Sequence, residues 1–188
     1  MNRCHWVTDD PLYIHYHDTE WGRPVYDDQK LFEMLTLEGA QAGLNWITIL
    51  KRRESYRQAF DYFDVEKISH YDEKKISELL HNKNIIRNNM KIRSVISNSK
   101  AFIQIQKQYG SFAKFLWGFV NGHPIINEWD SPADVPTQTE LSKQISKELK
   151  NNGFSFVGPT IIYSYMQAVG LVNDHLLTCF CHPYNKAR

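Results

Sequence analysis

The sequence predicts an all-α protein. Its apolar residues recur at the three- and four-residue spacing of helices, and no stretch alternates apolar and polar residues long enough to require a β-sheet. Typical helix-starting residues and helix-ending glycines stand at the borders of the apolar stretches. A length of 188 residues predicts one domain or two small lobes.

Helix starts in the first half of the chain are indicated by side chains that can accept a hydrogen bond from a free backbone N–H. These starts are Asp10 with Pro11, Asp27 with Asp28, Asn45, Asp64 and Asp72. The first helix is expected to end at Gly22, the second to cover residues 30–42, and the third to continue from Asn45 to Phe60.

The second half predicts one long helix followed by shorter ones. Ile92, Val95, Ile96 and Phe102 form the apolar stripe of the long helix, which ends near Gly110. A short helix is expected over 112–120, and two more over roughly 139–151 and 159–169. Residues 121–138 contain three prolines, so we expect a loop there that crosses between lobes.

Composition excludes several classes of protein. With 42% apolar and 23% charged residues, the 188-residue chain is typical of globular proteins and not of disordered ones. No apolar run approaches the length of a membrane span, and the first residues lack the apolar core of a signal peptide. Three cysteines, an odd number, indicate a reducing compartment. We expect a cytoplasmic monomer with no membrane partner.

Charge is distributed unevenly although the net charge is only +1. The 49 residues between Glu78 and Glu128 carry +7 and no carboxylate, so the rest of the chain carries −6 (+1 minus +7). Such asymmetry favours a polyanionic partner, although lysine-rich helix surfaces without a partner show it too. The seven basic residues are Lys83, Arg87, Lys91, Arg93, Lys100, Lys107 and Lys114.

Two pairs of potential metal ligands stand at opposite ends of the chain, Cys4 with His17 and His175 with Cys179. In a helix, His175 and Cys179 would project from one face because they are four residues apart. Two imidazoles and two thiolates form a closed tetrahedral set, which is typical of structural zinc. Buried free thiols with ordinary surface histidines are the alternative. Rival donors close by are His5, His15, Cys181 and His182.

Glu38 lies on the apolar face of the predicted second helix. Leu31, Met34, Leu35 and Ala42 share that face at about 100° per residue. A buried carboxylate costs free energy unless it is paired or retained for a task. Two interpretations follow: an acid satisfied by a nearby cation or backbone donor, or the polar group of a binding pocket.

Several aromatic residues stand near Glu38 in the sequence. Most aromatic stripes belong to the core of a protein. A carboxylate among aromatic rings is also what a pocket for a planar, cationic ring needs, because the rings stack on the ligand and the acid orients it. The candidates are Trp6, Tyr13, Tyr16, Trp21 and Trp46.

Residues 153–160 predict a short hairpin between two helices. Gly153 ends the first helix, Pro159 begins the second, and Gly158 allows the backbone to approach a ligand closely. The free N–H groups at the start of the second helix could bind a phosphate. Glycine-containing turns between helices are common, so this pattern alone does not specify DNA binding.

Taken together, these segments resemble the constitutive 3-methyladenine DNA glycosylase I family of bacterial base-excision repair. The resemblance is carried by RCHWV at 3–7, DPLYIHYHDTEWG at 10–22, LFEMLTLEGAQAGLNWITIL at 31–50 and GFSFVGPTIIYSYMQAVGLVNDH at 153–175, followed by TCFC. It implies an all-α, helix-hairpin-helix glycosylase in which one structural Zn²⁺ joins the termini. The implied architecture is a single domain over residues 1–188, whose two helical lobes pack around a base-binding pocket. The implied partners are alkylated double-stranded DNA and free 3-methyladenine as product.

The resemblance also implies a role for individual residues. The implied zinc ligands are Cys4, His17, His175 and Cys179. Glu38 is the residue implied to recognise the base. The implied walls of the base-binding pocket are Trp6, Tyr13, Tyr16 and Trp46, and Trp21 lies nearby. Leu44, beside Gly43, resembles the plug that fills the space left by a flipped base. Gly153, Gly158 and Thr160 belong to the hairpin that grips DNA.

The chemistry expected from the resemblance is hydrolysis without strand cleavage. The family is understood to lack the catalytic aspartate of other helix-hairpin-helix glycosylases, so Asp174, beside His175, is expected to have no catalytic role. Methylation at N3 makes adenine cationic and weakens its glycosidic bond, so extracting and selecting the base is the main task. We expect Glu38 to bind the base and to stabilise positive charge developing on the sugar.

Two other classes of protein share parts of this pattern. A zinc-stapled DNA-binding module would have the basic face and the hairpin but no use for Glu38 in an aromatic pocket. A zinc hydrolase would need an open coordination position, which four protein ligands exclude. Release of free base from methylated DNA would distinguish the three classes.

Overall fold

Ten α-helices account for most of residues 2–185, the part of the chain that this computed structural model describes. The all-α prediction is confirmed. The single domain predicted for residues 1–188 includes Met1 and residues 186–188, which lie outside the described range. The helices are α1 Pro11–Thr19, α2 Asp28–Gln41, α3 Trp46–Leu50, α4 Arg53–Ala59, α5 Val65–Ser69, α6 Glu73–His81, α7 Asn89–Tyr109, α8 Phe112–Gly118, α9 Glu140–Asn151 and α10 Pro159–Ala168.

Most helix starts lie where the sequence predicts them. The carboxylates of Asp10, Asp27, Asp64 and Asp72 each accept a hydrogen bond from a backbone N–H two or three residues later. This contact satisfies one of the free donors of a first helical turn. Asn45 precedes α3, but its side chain makes no capping hydrogen bond.

The first and third helices differ from the prediction. Glu20, and not Gly22, follows the last residue of α1 as its C-cap. The predicted third helix is divided by a turn at residues 51–52 into α3 and α4. Ile49 and Tyr56 are buried on either side of this turn. The apolar spacing therefore continues across the break, and periodicity alone could not reveal it.

The segment around His175 also differs. Residues 174–182 form extended chain and turns, so His175 and Cys179 do not share the face of a helix. Ahead of this segment, strand β2 (Val172–Asn173) pairs in parallel with β1 (Ile125–Ile126). β1 lies within the predicted crossover loop, which also contains the short 3-10 turn Pro132–Asp134.

α2 forms the centre of the molecule. Every residue from Leu31 to Ala40 is buried, so this part of the helix has no solvent-facing side, contrary to the amphipathic helix that the sequence predicts. The buried Glu33 is neutralised by Arg53 Nε at 2.6 Å and by Arg57 at 2.9 Å. The free-energy cost of burying that carboxylate is thereby offset. Glu38, five residues further along α2, has no such ion pair among residues 2–185.

The two ends of the chain lie side by side. Gly22 N–H donates to Gln167 O at 2.9 Å, and Phe180 N–H donates to Asn2 O at 3.0 Å. Gly170 has a φ of +69°, and a Cβ there would lie 2.2 Å from the backbone carbon of Arg23. Glycine is therefore required where the chain after α10 crosses the chain after α1. No helix within residues 2–185 is both long enough and apolar enough to cross a membrane.

Candidate active site and metal centre

A cavity of about 210 Å³ opens between α1, α2, α3 and α10. All six side chains predicted to recognise a base line it: Trp6, Tyr13, Tyr16, Trp21, Glu38 and Trp46. These residues come from the N-terminal segment, α1, the chain just after α1, α2 and the first position of α3. The fold thus brings the aromatic residues and the buried acid around one space.

Glu38 is buried, with 4% of its surface exposed. Its Oε2 atom has no hydrogen-bond partner among the described residues. Burial raises the pKa of this carboxyl to about 8. A ligand that donates hydrogen bonds or carries positive charge would therefore stabilise the ionised form, and the site is suited to such a ligand.

Aromatic rings form the walls of the cavity. The rings of Tyr16 and Trp46 have centroids 5.5 Å apart, and Trp6 lies 5.1 Å from both Tyr13 and Trp21. The indole Nε1 of Trp46 is buried and has no partner among the described residues. Burial, and then the charge of Glu38, raise the pKa of Tyr16 and of Tyr13. Both phenols therefore keep their hydroxyl protons and can donate hydrogen bonds.

Polar residues that the sequence analysis did not single out complete the lining. Gln41 lies one turn beyond Glu38 on α2, and Ser164 and Gln167 lie one turn apart on α10. Their spacing of three residues could have placed them on shared faces. Val135 comes from the crossover loop and carries no such signal. The remaining lining residues are Cys4, His5, Asp174 and Leu176.

Asp174 is held by side chains and not by the predicted metal ligand His175. Its Oδ1 accepts from Asn127 at 2.7 Å and from Trp129 Nε1 at 2.9 Å. Its Oδ2 accepts from Tyr163 OH at 2.5 Å and from Gln167 Nε2 at 2.7 Å. With four donors on two oxygens, the carboxylate is fully occupied and fixes the crossover loop against α10.

Cys4, His17, His175 and Cys179 form one buried cluster in which the four ligand atoms all lie within 4.8 Å of one another. Cys179 Sγ lies 3.5 Å from His17 Nε2 and 3.5 Å from His175 Nδ1, and Cys4 Sγ lies 3.6 Å from His175 Nδ1. Bonds of about 2.0–2.3 Å around a tetrahedral metal place neighbouring donors about 3.3–3.8 Å apart. The cluster has the dimensions needed to hold a metal ion.

The outer ring nitrogens of both histidines are oriented by acceptors. His17 Nδ1 lies 2.7 Å from Asp18 Oδ1, and Asp18 is itself held by Arg3 at 2.8 Å. His175 Nε2 lies 3.1 Å from Trp21 O. Because these outer nitrogens donate, the inner nitrogens are left with lone pairs directed to the cluster, as metal ligation requires.

The thiols of Cys4 and Cys179 shift the pKa of each other because they lie close together. A hydrogen bond with Cys179, and then burial, raise the pKa of the Cys4 thiol. The hydrogen bond that the Cys4 thiol donates lowers the pKa of Cys179, although burial acts in the opposite direction. The protein alone thus favours one thiolate, and a cation is needed to hold two. A second group, His17, Asp18 and Cys181, also has metal-ligand spacing, but it shares His17.

The metal cluster and the cavity share a wall. Trp21 and Cys4 line the cavity, and the ring of Trp21 lies 4.7 Å from that of His175. Trp6 lies 5.3 Å from His17 in the same way. A metal that fixes the two histidines would therefore also fix two aromatic walls of the cavity.

The predicted DNA-contacting residues lie on two neighbouring turns. Gly43 has a φ of +79° in the turn after α2, where Leu44 is 40% exposed. The predicted hairpin, between α9 and α10, packs on the same end of α2, because Phe156 lies 3.4 Å from the position of a Cβ on Gly39. Gly153 and Gly158 face open space, and Thr160 is exposed in the first turn of α10.

The basic stretch does not form a single face. Arg93, Lys100 and Lys107 are seven residues apart and share one side of α7. Asn98 projects to the opposite side, where it exchanges two hydrogen bonds with Ser155 of the hairpin at 2.9 and 3.0 Å. Arg93 is in addition paired with Glu73 at 2.7 Å. Lys91 lies on the same side as Asn98, so the basic residues of α7 do not share one face of the helix.

Comparison with known proteins shows which family the chain belongs to. The model of the family described as methyladenine glycosylase matches residues 6–182. DNA-3-methyladenine glycosylase 1 of Escherichia coli strain K12 is 50% identical over 186 residues, covering 99% of this chain and 100% of the relative.

Solved structures of 3-methyladenine DNA glycosylases also match this chain over nearly its full length. A crystal structure of 3-methyladenine DNA glycosylase I superposes with a TM-score of 0.95 at 53% identity, covering 97% of this chain and 100% of that one. A tyrosine-to-phenylalanine variant of a 3-methyladenine DNA glycosylase I in complex with 3-methyladenine superposes with a TM-score of 0.94 at 39% identity, covering 97% and 98%. The chain belongs to the methyladenine glycosylase family.

Proposed function

We propose that this protein is a DNA glycosylase that releases 3-methyladenine from alkylated double-stranded DNA by hydrolysing the N-glycosidic bond. The observation that carries the proposal is Glu38, a buried carboxylate with an unpartnered oxygen in a cavity walled by aromatic rings. Membership in the methyladenine glycosylase family, and a relative crystallised with 3-methyladenine, support this substrate.

Base selection follows from the charge of the lesion. Because burial raises the pKa of Glu38 to about 8, the carboxyl is largely protonated at neutral pH in the free protein. A cationic methylated base favours the carboxylate and can donate hydrogen bonds to it, whereas undamaged adenine is neutral. Trp46 would stack on the base, and Tyr16 would donate a hydrogen bond to it. Selection thus rests on charge together with shape.

Extraction of the base is assigned to the two exposed turns. Flipping a damaged base costs a few kcal/mol of unstacking and unpairing. Leu44, carried by the turn at Gly43, would fill the space that the base leaves. The hairpin would grip the backbone through the free N–H groups that follow Gly158, without reading sequence, and Gly153 and Thr160 would lie close to the phosphates.

Hydrolysis without lyase activity is the reaction class that the cavity supports. The described residues lining it include no lysine that could attack the sugar as an amine. The fully bonded Asp174 is unsuited to act as a base, because its oxygens already accept from four side chains. The base leaves as a neutral molecule, so we assign to Glu38 the stabilisation of positive charge on the sugar while water attacks.

We propose that the metal is one structural Zn²⁺ bound by Cys4, His17, His175 and Cys179. The two thiols, the inner histidine nitrogens and the spacing of the four donors fit a closed tetrahedral site. When bound, zinc would supply folding free energy by joining the termini. The ligand residues would hold Trp6 and Trp21 in the cavity wall. We also propose that the protein acts as a cytoplasmic, single-domain monomer.

The test is release of free base from methylated duplex DNA. We expect the wild-type protein to release 3-methyladenine, detected by liquid chromatography and mass spectrometry, and to leave the abasic strand uncut. Glu38→Gln is the matched control. Binding of methylated DNA without release would instead support a non-catalytic DNA-binding module, and strand cleavage would contradict the monofunctional assignment.

A further inference from the structure

The C-terminal end of α2 leads directly into the turn that carries Gly43 and Leu44, and Trp46 follows as the first residue of α3. The last carbonyls of any helix need donors from elsewhere. Two of these carbonyls are satisfied within the turn: Ala42 N–H donates to Gly39 O at 3.4 Å, and Leu44 N–H donates to Gln41 O at 2.6 Å. The carbonyls of Ala40 and Ala42 are left for another donor.

Lys91 of α7 is that donor. Its Nζ lies 2.9 Å from Ala40 O and 2.8 Å from Ala42 O. The last turn of α2 contains no basic residue of its own, so Lys91 places the cation at the negative end of the helix dipole. The backbone of Lys91 is held in turn, because its N–H donates to the side chain of Asn88 at 3.0 Å.

This contact distinguishes Lys91 from the other residues of the basic stretch. Two of the three N–H donors of its ammonium group are directed to backbone carbonyls of the protein. Lys100 is exposed on the opposite side of the same helix, and Arg93 is paired with a carboxylate. Lys91 also projects from the side of α7 that carries Asn98, which contacts the hairpin. It therefore joins α7 to the turn between two walls of the cavity.

We propose that Lys91 is a positioning residue for base excision. By holding the carbonyls of Ala40 and Ala42, it sets the path of the chain from Glu38 to Trp46, and with it the placement of Leu44. Lys91 does not touch the base. This inference rests on the proposed function, because it assigns Lys91 to the step in which the base leaves the duplex and enters the cavity.

The test compares Lys91→Met with Lys91→Arg and Lys100→Met. Methionine keeps an unbranched apolar stem and removes the ammonium, arginine restores donors, and Lys100→Met removes one charge from α7 without touching α2. We expect Lys91→Met to lower kcat for excision from methylated duplex by about tenfold to a hundredfold, as a misplaced site does. We expect Lys91→Arg to recover part of that loss and Lys100→Met to stay within twofold of wild type.

Two further readouts separate positioning from a phosphate contact or a general loss of stability. Amide hydrogen exchange over residues 40–46 should become faster in Lys91→Met and remain unchanged in Lys100→Met, while exchange in α10 stays as in wild type. In Lys91→Met, the slope of duplex affinity against salt concentration should be the same as in wild type. A direct phosphate contact would instead reduce the slope by about one unit.

Several results would overturn the assignment. Unchanged exchange over residues 40–46, a kcat equal to that of Lys100→Met, or a reduced salt slope would each do so. Hydrogen exchange requires no catalysis, so it tests Lys91 even if the enzyme assignment fails. Absence of base release by the wild-type protein would refute the proposed function and leave the exchange result to stand on its own.

Discussion

Glu38→Gln should stabilise the free protein while it removes most of the activity. In the folded protein the pKa of Glu38 is raised to about 8 from an ordinary value of 4.5, and the cause is burial. The folded state therefore binds this proton more tightly than the unfolded state does. Its contribution to the free energy of unfolding is greatest below about pH 4.5 and is lost as the pH rises to about 8 and above.

Glutamine does not titrate, so the stability of the variant relative to wild type should increase with pH. Linkage gives an upper limit of about 1 kcal/mol at pH 5, about 3 kcal/mol at pH 7 and about 5 kcal/mol at pH 9. For a chain of this length, about 3 kcal/mol corresponds to roughly 6–12 °C in Tm. Thermal melting at the three pH values measures this trend directly.

The same substitution should abolish most base binding and excision. An amide accepts at only one of its two polar atoms and carries no negative charge, so it cannot reproduce a charge-assisted contact worth about 1.5–3 kcal/mol. We expect affinity for free 3-methyladenine to fall by roughly ten- to a hundredfold, and release from methylated duplex to fall at least as far. Release of 3-methyladenine by Glu38→Gln at the wild-type rate would refute the assignment of Glu38. A stability difference that does not change with pH would show that the carboxyl is not buried in the uncharged form.

Three further predictions concern the wall, the metal and the hairpin. Trp46→Ala should weaken binding of 3-methyladenine by about 1–3 kcal/mol through loss of stacking, measured by titration calorimetry, whereas unchanged affinity would place the base elsewhere. Purified protein should contain one zinc per chain, and Cys4→Ser or His175→Ala should lower Tm more than it changes the chemistry; elemental analysis finding well under one equivalent would remove the zinc proposal. Gly158→Asp should fold normally, because a Cβ there meets nothing within 4 Å, yet it should weaken salt-dependent duplex binding while free-base affinity is retained. Duplex binding that is insensitive both to salt and to this substitution would show that the hairpin is not the DNA contact.

Most helix boundaries could be predicted from the sequence because they depend on local chemistry. Asp10, Asp27, Asp64 and Asp72 cap helices through contacts with residues two or three positions away. Where a boundary depends on distant residues, the local signal fails. The break between α3 and α4 keeps its apolar spacing, and the segment after Val172–Asn173 is held by strand pairing with Ile125–Ile126 and by the Asp174 hydrogen bonds.

The candidate site, too, could be predicted only in part from the sequence. Residue types and the resemblance to a known family were enough to select Glu38, the aromatic walls and the four metal ligands. Only the tertiary structure showed that Glu38 Oε2 has no hydrogen-bond partner among the described residues, whereas Glu33, five residues earlier, is neutralised by two arginines. Periodicity describes which side of a helix is apolar, but α2 is buried on all sides from Leu31 to Ala40, so its spacing could not distinguish the two acids.

The sequence by itself determined the fold class, most helix starts and the chemical inventory of the site, because these depend on side-chain type and on contacts along one helix. The tertiary structure decided which partner each polar group contacts. It directed Lys91 to the end of α2, occupied Asp174 with four donors, and divided the basic residues of α7 between two sides of that helix. Hydrogen bonding and burial depend on residues far apart in the chain, and they decide which charges remain available for a ligand.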